Sequence, residues 1–181
     1  MSTLITSTAQ IGTIKDAGGN ETAMTIDNSG RVLKPVIPSW RVCLTASQNI
    51  TTAGGAGTDI LWNDTSSADF NFLAGGCTLS SGVITVPVDG LYQCNASVRF
   101  DNVGSSSYLI MRILKNNSQT AQQEHYNIIG NGHSTDYQNI NGSDIYQCVA
   151  GDTLRVSAMT SADSNWDVNI NGSKFSGYLI G

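Results

Sequence analysis

Charged side chains are scarce in this chain of 181 residues, since Asp, Glu, Lys and Arg make up only 13% of it. The nine Lys and Arg residues are scattered singly and the net charge is −5, so no basic patch is present to hold a phosphate backbone. We therefore expect no nucleic-acid binding. The polar surface has to be built from Asn, Ser, Thr and Gly, a bias that is common in extracellular and virion β-proteins.

Long hydrophobic runs are also missing. No apolar stretch approaches the roughly twenty residues that cross a bilayer, so we expect no membrane insertion. Residues 1–8 have neither the basic start nor the sustained apolar segment of a secretory leader, which predicts no signal peptide and synthesis in a host cytoplasm. Export would then follow another route, such as the release of assembled particles by lysis.

Cysteines are too few and too widely spaced for a disulfide framework, and no pair has the two-residue spacing of a zinc knuckle or a redox motif. Cys94 alternates with Tyr92, Ala96 and Val98, which predicts a small buried hydrophobic side chain on the inner face of a strand. The four cysteines are Cys43, Cys77, Cys94 and Cys148.

Helical periodicity is nearly absent, whereas alternation of apolar and polar residues recurs throughout the chain. Glycine-rich turns separate the alternating segments, and many short strands joined in this way predict an all-β, antiparallel sandwich or barrel. The alternating segments are residues 40–46, 91–100, 108–114, 152–158 and, more weakly, 167–171.

Two prolines, Pro35 and Pro38, favour an extended connector between an N-terminal segment of residues 1–39 and a domain of residues 40–181. The segment contains three predicted short strands, residues 11–14, 23–26 and 31–33. So short a segment, poor in large apolar side chains, cannot bury a core alone. We therefore predict that it docks onto neighbouring copies or onto another protein.

Five segments of the larger domain, taken in order, resemble the globular head of the complement q subunit, within the tumour-necrosis-factor-like jelly-roll superfamily. Each segment alone carries little information, but five in the right order make the resemblance specific. The chain departs from the family in having no collagen-like stalk and fewer aromatic residues in the central strands. The segments are Ile60–Asp64, Val83–Tyr92, Ile113–Asn117, Val149–Val156 and Phe175–Ile180.

The resemblance implies an antiparallel jelly-roll β-sandwich that assembles as a tight homotrimer. The alternation in residues 91–100 and 175–180 gives each strand one face for the sandwich and one for other contacts. If the second faces line a threefold axis, Leu91, Gln93, Tyr178 and Ile180 are the predicted interface residues. A closed cyclic trimer would satisfy these surfaces. The alternative is that Tyr178 is an ordinary half-exposed strand aromatic.

The N-terminal segment resembles β-stalk modules of phage tail and fibre proteins, in residues 13–20 and 26–30. Together the resemblances predict a bacteriophage virion structural protein, as a trimeric tail-fibre head or a capsid decoration knob. It would attach to another virion protein through residues 1–39, and the head would contact a host-surface glycan or protein. The alternative is a soluble complement-head-like recognition protein or lectin. The missing leader and collagen-like stalk favour the virion interpretation.

Two candidate ligand sites share the segment around Trp166. A tryptophan among Asn and Asp residues can stack on a sugar, so Trp166 is a candidate for carbohydrate or receptor contact, the alternative being a ring packed on its own sandwich. Asp163, Asn165 and Asp167 reproduce the first three ligands of a calcium loop, although Val168 and Lys174 then break the EF-hand pattern. We predict no other cofactor, and an Asp/Asn-rich turn explains the pattern equally.

Catalysis is not expected. The two histidine clusters, Glu124-His125 and His133 to Asp136, lie in polar segments without a nucleophile-elbow pattern, which predicts surface or loop histidines. A glycosidase would need two carboxylates facing each other in a cleft, and the acidic residues here are mostly associated with turns. We predict that the protein is not an enzyme.

Overall fold

The chain divides into two units, residues Met1–Ile37 and Pro38–Gly181. This division lies two residues before the boundary predicted at residues 39 and 40. The computed structural model describes residues 13–15, 22–33, 37–50, 57–66, 70–103, 108–118, 122–128, 137–160 and 166–181. Within these ranges the chain consists of strands, turns and extended segments, and no helix in them is long and apolar enough to cross a membrane.

The first unit is an antiparallel sheet of three strands, β1 (Thr13–Lys15), β2 (Thr22–Ile26) and β3 (Val32–Leu33). The three predicted short strands are thus confirmed. The turn between β2 and β3 is closed by Asp27, whose carboxylate accepts hydrogen bonds from the Ser29 and Arg31 amides, both at 2.9 Å. The hydrogen bond from the Arg31 guanidinium also lowers the pKa of Asp27.

The second unit is built from two antiparallel sheets. The larger has the order β5-β15-β10-β16-β4-β7, with β13 paired to the free edge of β10, and the smaller has the order β12-β11-β14-β9-β8, with β6 paired to β14. The strands are β4 (Ser39–Val42), β5 (Gln48–Ile50), β6 (Thr58–Asp59), β7 (Phe72–Ala74), β8 (Thr78–Ser80), β9 (Val83–Thr85), β10 (Gly90–Asp101), β11 (Tyr108–Lys115), β12 (Gln122–Ile128), β13 (Tyr137–Cys148), β14 (Thr153–Thr160), β15 (Trp166–Val168) and β16 (Lys174–Leu179).

Alternation along β10 places one row of side chains in the core and the other row outside it. The predicted inner row is confirmed, since each of its five members is buried. Period-two geometry sends every second side chain to the same face of a strand, so this one strand contributes to two surfaces. The inner row consists of Tyr92, Cys94, Ala96, Val98 and Phe100.

Aromatic side chains fill the centre of the core. Phe175 of β16 lies edge-on to Trp40 of β4, with 5.5 Å between ring centroids, and is stacked with Trp62 at 6.4 Å. Trp40 also contacts Tyr92, at 6.2 Å. These rings lie between the two sheets and join four segments that are distant in sequence, so burial of their large apolar area is a main source of stability for the unit.

The turn that leads into β10 forms where Pro87 and Asp89-Gly90 predict one. The Asp89 carboxylate accepts a hydrogen bond from the Ala150 amide at 2.8 Å, which ties this turn to the turn after β13. Gly90 has a φ of 151°, and a Cβ at that position would meet a methyl group of Leu179 and lie 3.0 Å from the Gly181 carbonyl oxygen. Glycine is therefore required by close approach of the chain's last residues.

Candidate functional site

The four predicted interface residues lie together on the outer face of the larger sheet. Gln93 is directly opposite Tyr178 in the pairing of β10 with β16. Leu91 is joined to the end of the chain by two backbone hydrogen bonds, from the Ile180 amide to the Leu91 carbonyl at 2.7 Å and from the Leu91 amide to the Gly181 carbonyl at 2.9 Å. The structure thus brings these four side chains to one place, while their role in a trimer stays a prediction.

A fourth apolar side chain, Ile145 of β13, extends the group on the other side of β10, where it is opposite Gln93. We call Leu91, Ile145, Tyr178 and Ile180 the apolar band. Their exposed fractions are 44%, 51%, 49% and 50%, respectively. Ile145 was not predicted because β13 is rich in Asn, Gln and Ser, although the alternation of Ile140 with Tyr146 and Cys148 on its inner face was a usable signal.

The Gln93 side chain lies in the middle of the apolar band and points back to the sheet. Its amide Nε2 donates to the carbonyl oxygens of Cys94 and Asp144, both at 3.3 Å. These bonds partly satisfy the amide within its own chain, so Gln93 adds little polarity to a surface that would contact another molecule. The band therefore presents mainly hydrocarbon.

The prediction that Trp166 is available for a sugar or a receptor is wrong. Trp166 is only 1% exposed, lies in β15 between β5 and β10, and stacks on Phe100 with 5.3 Å between ring centroids. Both faces of the ring are covered by its own domain, so no face is free for stacking on a ligand. The alternative interpretation, a tryptophan packed on its own sandwich, is the correct one.

The structure describes only one of the three predicted calcium ligands, Asp167, because Asp163 and Asn165 lie outside the described residues. The carboxylate of Asp167 accepts hydrogen bonds from the side-chain amides of Asn49 at 2.9 Å and Asn102 at 2.6 Å. These bonds hold β15 to neighbouring segments, a structural role that explains this carboxylate without a metal. Among the described residues no group of three or more His, Cys, Asp or Glu side chains is placed to hold a metal ion.

Of the two histidines, His125 is on the edge strand β12, opposite Met111 of β11, whereas the segment from His133 to Asp136 lies outside the described residues. Of the two predicted alternatives for Glu124-His125, a surface or a loop position, the loop is ruled out by the strand, and the surface position stays a prediction. The absence of catalysis stays a prediction.

Burial shields three of the domain's four thiols from reaction. All four cysteines are free, and Cys77, Cys94 and Cys148 are buried. Burial raises the pKa of each of these thiols, that of Cys77 to about 11. A thiol with a raised pKa carries little reactive thiolate at neutral pH, so these side chains act as small apolar residues, as predicted for Cys94.

One buried carboxylate, Asp152, organises the turns at the end of the sandwich where β10 begins. Its oxygens accept hydrogen bonds from the Asn116 side chain at 2.7 Å and the Val149 amide at 2.9 Å, and an ion pair joins it to Lys115 at 2.8 Å. The bond from Asn116 and the contact with Lys115 lower the pKa of Asp152 to about 2. This network fixes the turns between β11, β13 and β14.

Solved structures with the same architecture include murine APRIL and a complement protein from zebrafish. The crystal structure of murine APRIL at pH 5.0 has a TM-score of 0.56 and 11% identity, over 80% of this chain and 99% of that chain. The globular domain of zebrafish complement 1qA has a TM-score of 0.52 and 15% identity, over 80% of this chain and 98% of that chain.

No protein-family model and no curated protein matches the sequence. The structural likeness therefore shows the fold alone. The second unit is a jelly-roll β-sandwich like those of the tumour necrosis factor family and the complement head, and the predicted fold class is confirmed.

Proposed function

We propose that this chain is a bacteriophage virion structural protein whose jelly roll assembles as a homotrimer, as a fibre head or a capsid decoration knob. Its work is binding and assembly rather than catalysis. Residues 1–39 attach it to another virion protein. The proposed host contact has no residue assigned to it, since Trp166 is buried in the domain.

The apolar band is the observation that carries the proposal. Its four side chains come from three adjacent strands or their ends, and each is about half exposed on the face of the sheet turned away from the core. A group of exposed apolar side chains on one face of a sheet is typical of a protein interface. A cyclic trimer would cover one band in each chain and leave no open-ended contact, in agreement with the trimer that the family resemblance implies.

The first unit supports attachment to a partner. None of its described residues belongs to the buried core, and three apolar side chains of its small sheet, Ile14, Ile26 and Val32, are exposed. A sheet of three short strands with no core is too small to be stable alone. Contact with a neighbouring protein would bury the exposed side chains and supply the missing stability.

Light scattering of the full chain tests the assembly, and we expect the mass of a trimer. The variant Ile180→Arg should lower that mass to one chain, because it places three guanidinium groups in the proposed interface. Leu61→Arg is a matched control, since Leu61 is 49% exposed but lies outside the apolar band, between β6 and β7. A monomeric parent chain would contradict the proposed trimer, and equal masses for the two variants would contradict the apolar band as its interface.

Mass spectrometry of purified particles tests the virion assignment. We expect peptides of this chain in the particles, and protection of residues 1–39 from protease only when the chain is attached to them. Particles that lack the polypeptide would reject the virion assignment. A trimer free in solution that binds a glycan array would favour the alternative, a soluble recognition protein.

A further inference from the structure

Two basic side chains on the outer face of the larger sheet lack the partners that the other described basic residues have. Arg41 of β4 and Lys174 of β16 make no hydrogen bond and no ion pair within the described part of the chain. The remaining described basic side chains all have partners, and the four carboxylate pairs are Arg31–Asp27 at 2.6 Å, Arg99–Asp101 at 2.8 Å, Lys115–Asp152 at 2.8 Å and Arg155–Asp59 at 2.6 Å.

Lys174 borders a groove of about 330 Å³ on the same face, whose lining includes Asn95, Asn141 and Ser143. Strand pairing builds the groove, because Asn95 is opposite Ser143 and Ser97 is opposite Asn141 in β10 and β13. Lys174 is opposite Ser97 on the other side of β10. Asn95, Asn141 and Ser143 make no side-chain hydrogen bond within the described residues, so their donors, like the Lys174 ammonium, are available to a ligand.

Among the described residues, no carboxylate forms an ion pair with Lys174 or Arg41. The single outward-facing acidic residue of β10, β13 and β16 is Asp101, at the far end of β10. Its carboxylate is already bound by Arg99 at 2.8 Å and by the Asn169 amide at 2.5 Å. Lys174 and Arg41 therefore carry positive charges without an ion-pair partner in the described ranges, in a chain whose net charge is −5.

The groove adjoins the apolar band, since Asn95 follows Gln93 by two residues and Ser143 precedes Ile145 by two. An assembly that covers the band, which is the trimer proposed above and on which this inference rests, would bring three Lys174 ammonium groups towards one axis. Like charges repel more strongly when they are removed from water. An anion that accepts hydrogen bonds from all three would offset the repulsion.

We propose that the trimer binds one tetrahedral oxyanion, of the phosphate or sulfate class, in the space enclosed by the three grooves. Lys174 of each chain supplies the charge, and the amides of Asn95 and Asn141 and the hydroxyl of Ser143 supply further donors. The site is incomplete in one chain, and Arg41 reinforces its positive potential from the neighbouring strand.

Calorimetric titration of inorganic phosphate into the full chain at pH 7 tests the site, with ionic strength held constant by sodium chloride and light scattering on the same sample. We expect saturable binding of one phosphate per three chains. Lys174→Gln should weaken binding about tenfold or more, because a charge-assisted bond is lost from every chain. Lys174→Arg should retain binding, and Arg31→Gln, which removes the same charge from the first unit, should leave it unchanged.

Several outcomes would overturn the inference. A trimer that shows no saturable binding would reject the anion site and leave the proposed function intact. Binding of one phosphate per chain would reject the shared site. If Arg31→Gln weakened phosphate binding as much as Lys174→Gln does, binding would depend on the net charge of the chain and not on Lys174. A chain that is monomeric by light scattering would contradict the proposed function and the shared site together, whereas loss of phosphate binding alone contradicts only the site.

Discussion

The side chains on the two faces of β10 and β16 differ in what holds them in place. On the inner face, Tyr92, Phe100 and Phe175 are buried among rings from other segments, and each is held by packing from several directions. On the outer face, Leu91 and Tyr178 are about half exposed and contact mainly their neighbours in the sheet. The same two strands therefore serve stability on one side and are available for assembly on the other.

We expect the largest loss of folding stability from a substitution on the inner face. Phe175→Ala should lower the free energy of unfolding by about 3 to 5 kcal/mol, because it removes a ring that contacts Trp40 and Trp62 and leaves a cavity. Denaturant unfolding measures the change. Ser176→Ala, next along the same strand on the opposite face, is the control, and a loss of equal size there would contradict the division between the faces.

Gly177 tests how tightly the inner face is filled. A Cβ at this position would collide with the six-membered ring of Trp40 and lie 2.7 Å from the Gln93 carbonyl oxygen. Gly177→Ala should therefore cost about 1 to 3 kcal/mol through overpacking, measured by thermal or denaturant unfolding. A variant as stable as the parent chain would show that the Trp40 ring has room to move.

Asp152 is a charged residue that is nonetheless buried, with only 8% of its surface exposed. Its pKa in the folded protein is about 2, below the value near 3.9 of an unfolded chain, so its carboxylate stabilises the fold above about pH 4. That contribution should be lost as the pH falls from about 5 to about 2. Asp152→Asn should cost about 2 kcal/mol at pH 7 and progressively less towards pH 2.

Unfolding curves collected from pH 2 to pH 7 measure the effect of Asp152→Asn. Asp27→Asn is the matched control, because Asp27 also has a lowered pKa but pairs with Arg31 on an exposed turn. Its effect on stability should be smaller at every pH. If the loss caused by Asp152→Asn is independent of pH, the ionised carboxylate is not its source.

The smallest effect on a single chain is expected on the outer face. Leu91→Ser should change the free energy of unfolding by about 0.5 kcal/mol or less at concentrations where the chain is monomeric, since the side chain is already 44% exposed. Its effect should appear instead as a lower mass in light scattering at high concentration. A large loss of single-chain stability would place Leu91 with the core residues.

The sequence predicted those parts of the fold in which the alternation of apolar and polar residues agrees with the side chains' burial in the structure. Residues 92–100 alternate strictly, and their apolar members are the ones that the core buries, whereas Leu91 lies on the other face and is 44% exposed. The three short strands of the first unit are likewise visible as β-rich segments between turn residues. In both places the side-chain period alone decides which face becomes apolar.

The parts that the sequence did not predict depend on contacts between distant segments. Trp166 is surrounded by Asn and Asp in the sequence, which indicates a loop, but pairing of β15 with β5 and β10 places the ring on Phe100. Strand β13 is almost entirely polar outside the core-facing positions, so its pairing with all twelve residues of β10 had no strong local signal. Ile145 was missed for the same reason, and the apolar band was therefore incomplete.

The start and the last strand of the second unit meet at the same end of the larger sheet. The Leu179 amide donates to the Pro38 carbonyl oxygen at 2.9 Å, so the entry to this unit and its last strand lie side by side at one end. A peptide fused after Gly181 would therefore leave the second unit close to Pro38, the residue at which this unit begins. An insertion in the turn Asn169–Gly172 would instead lie at the opposite end of β16, away from both the start of the unit and its last residues.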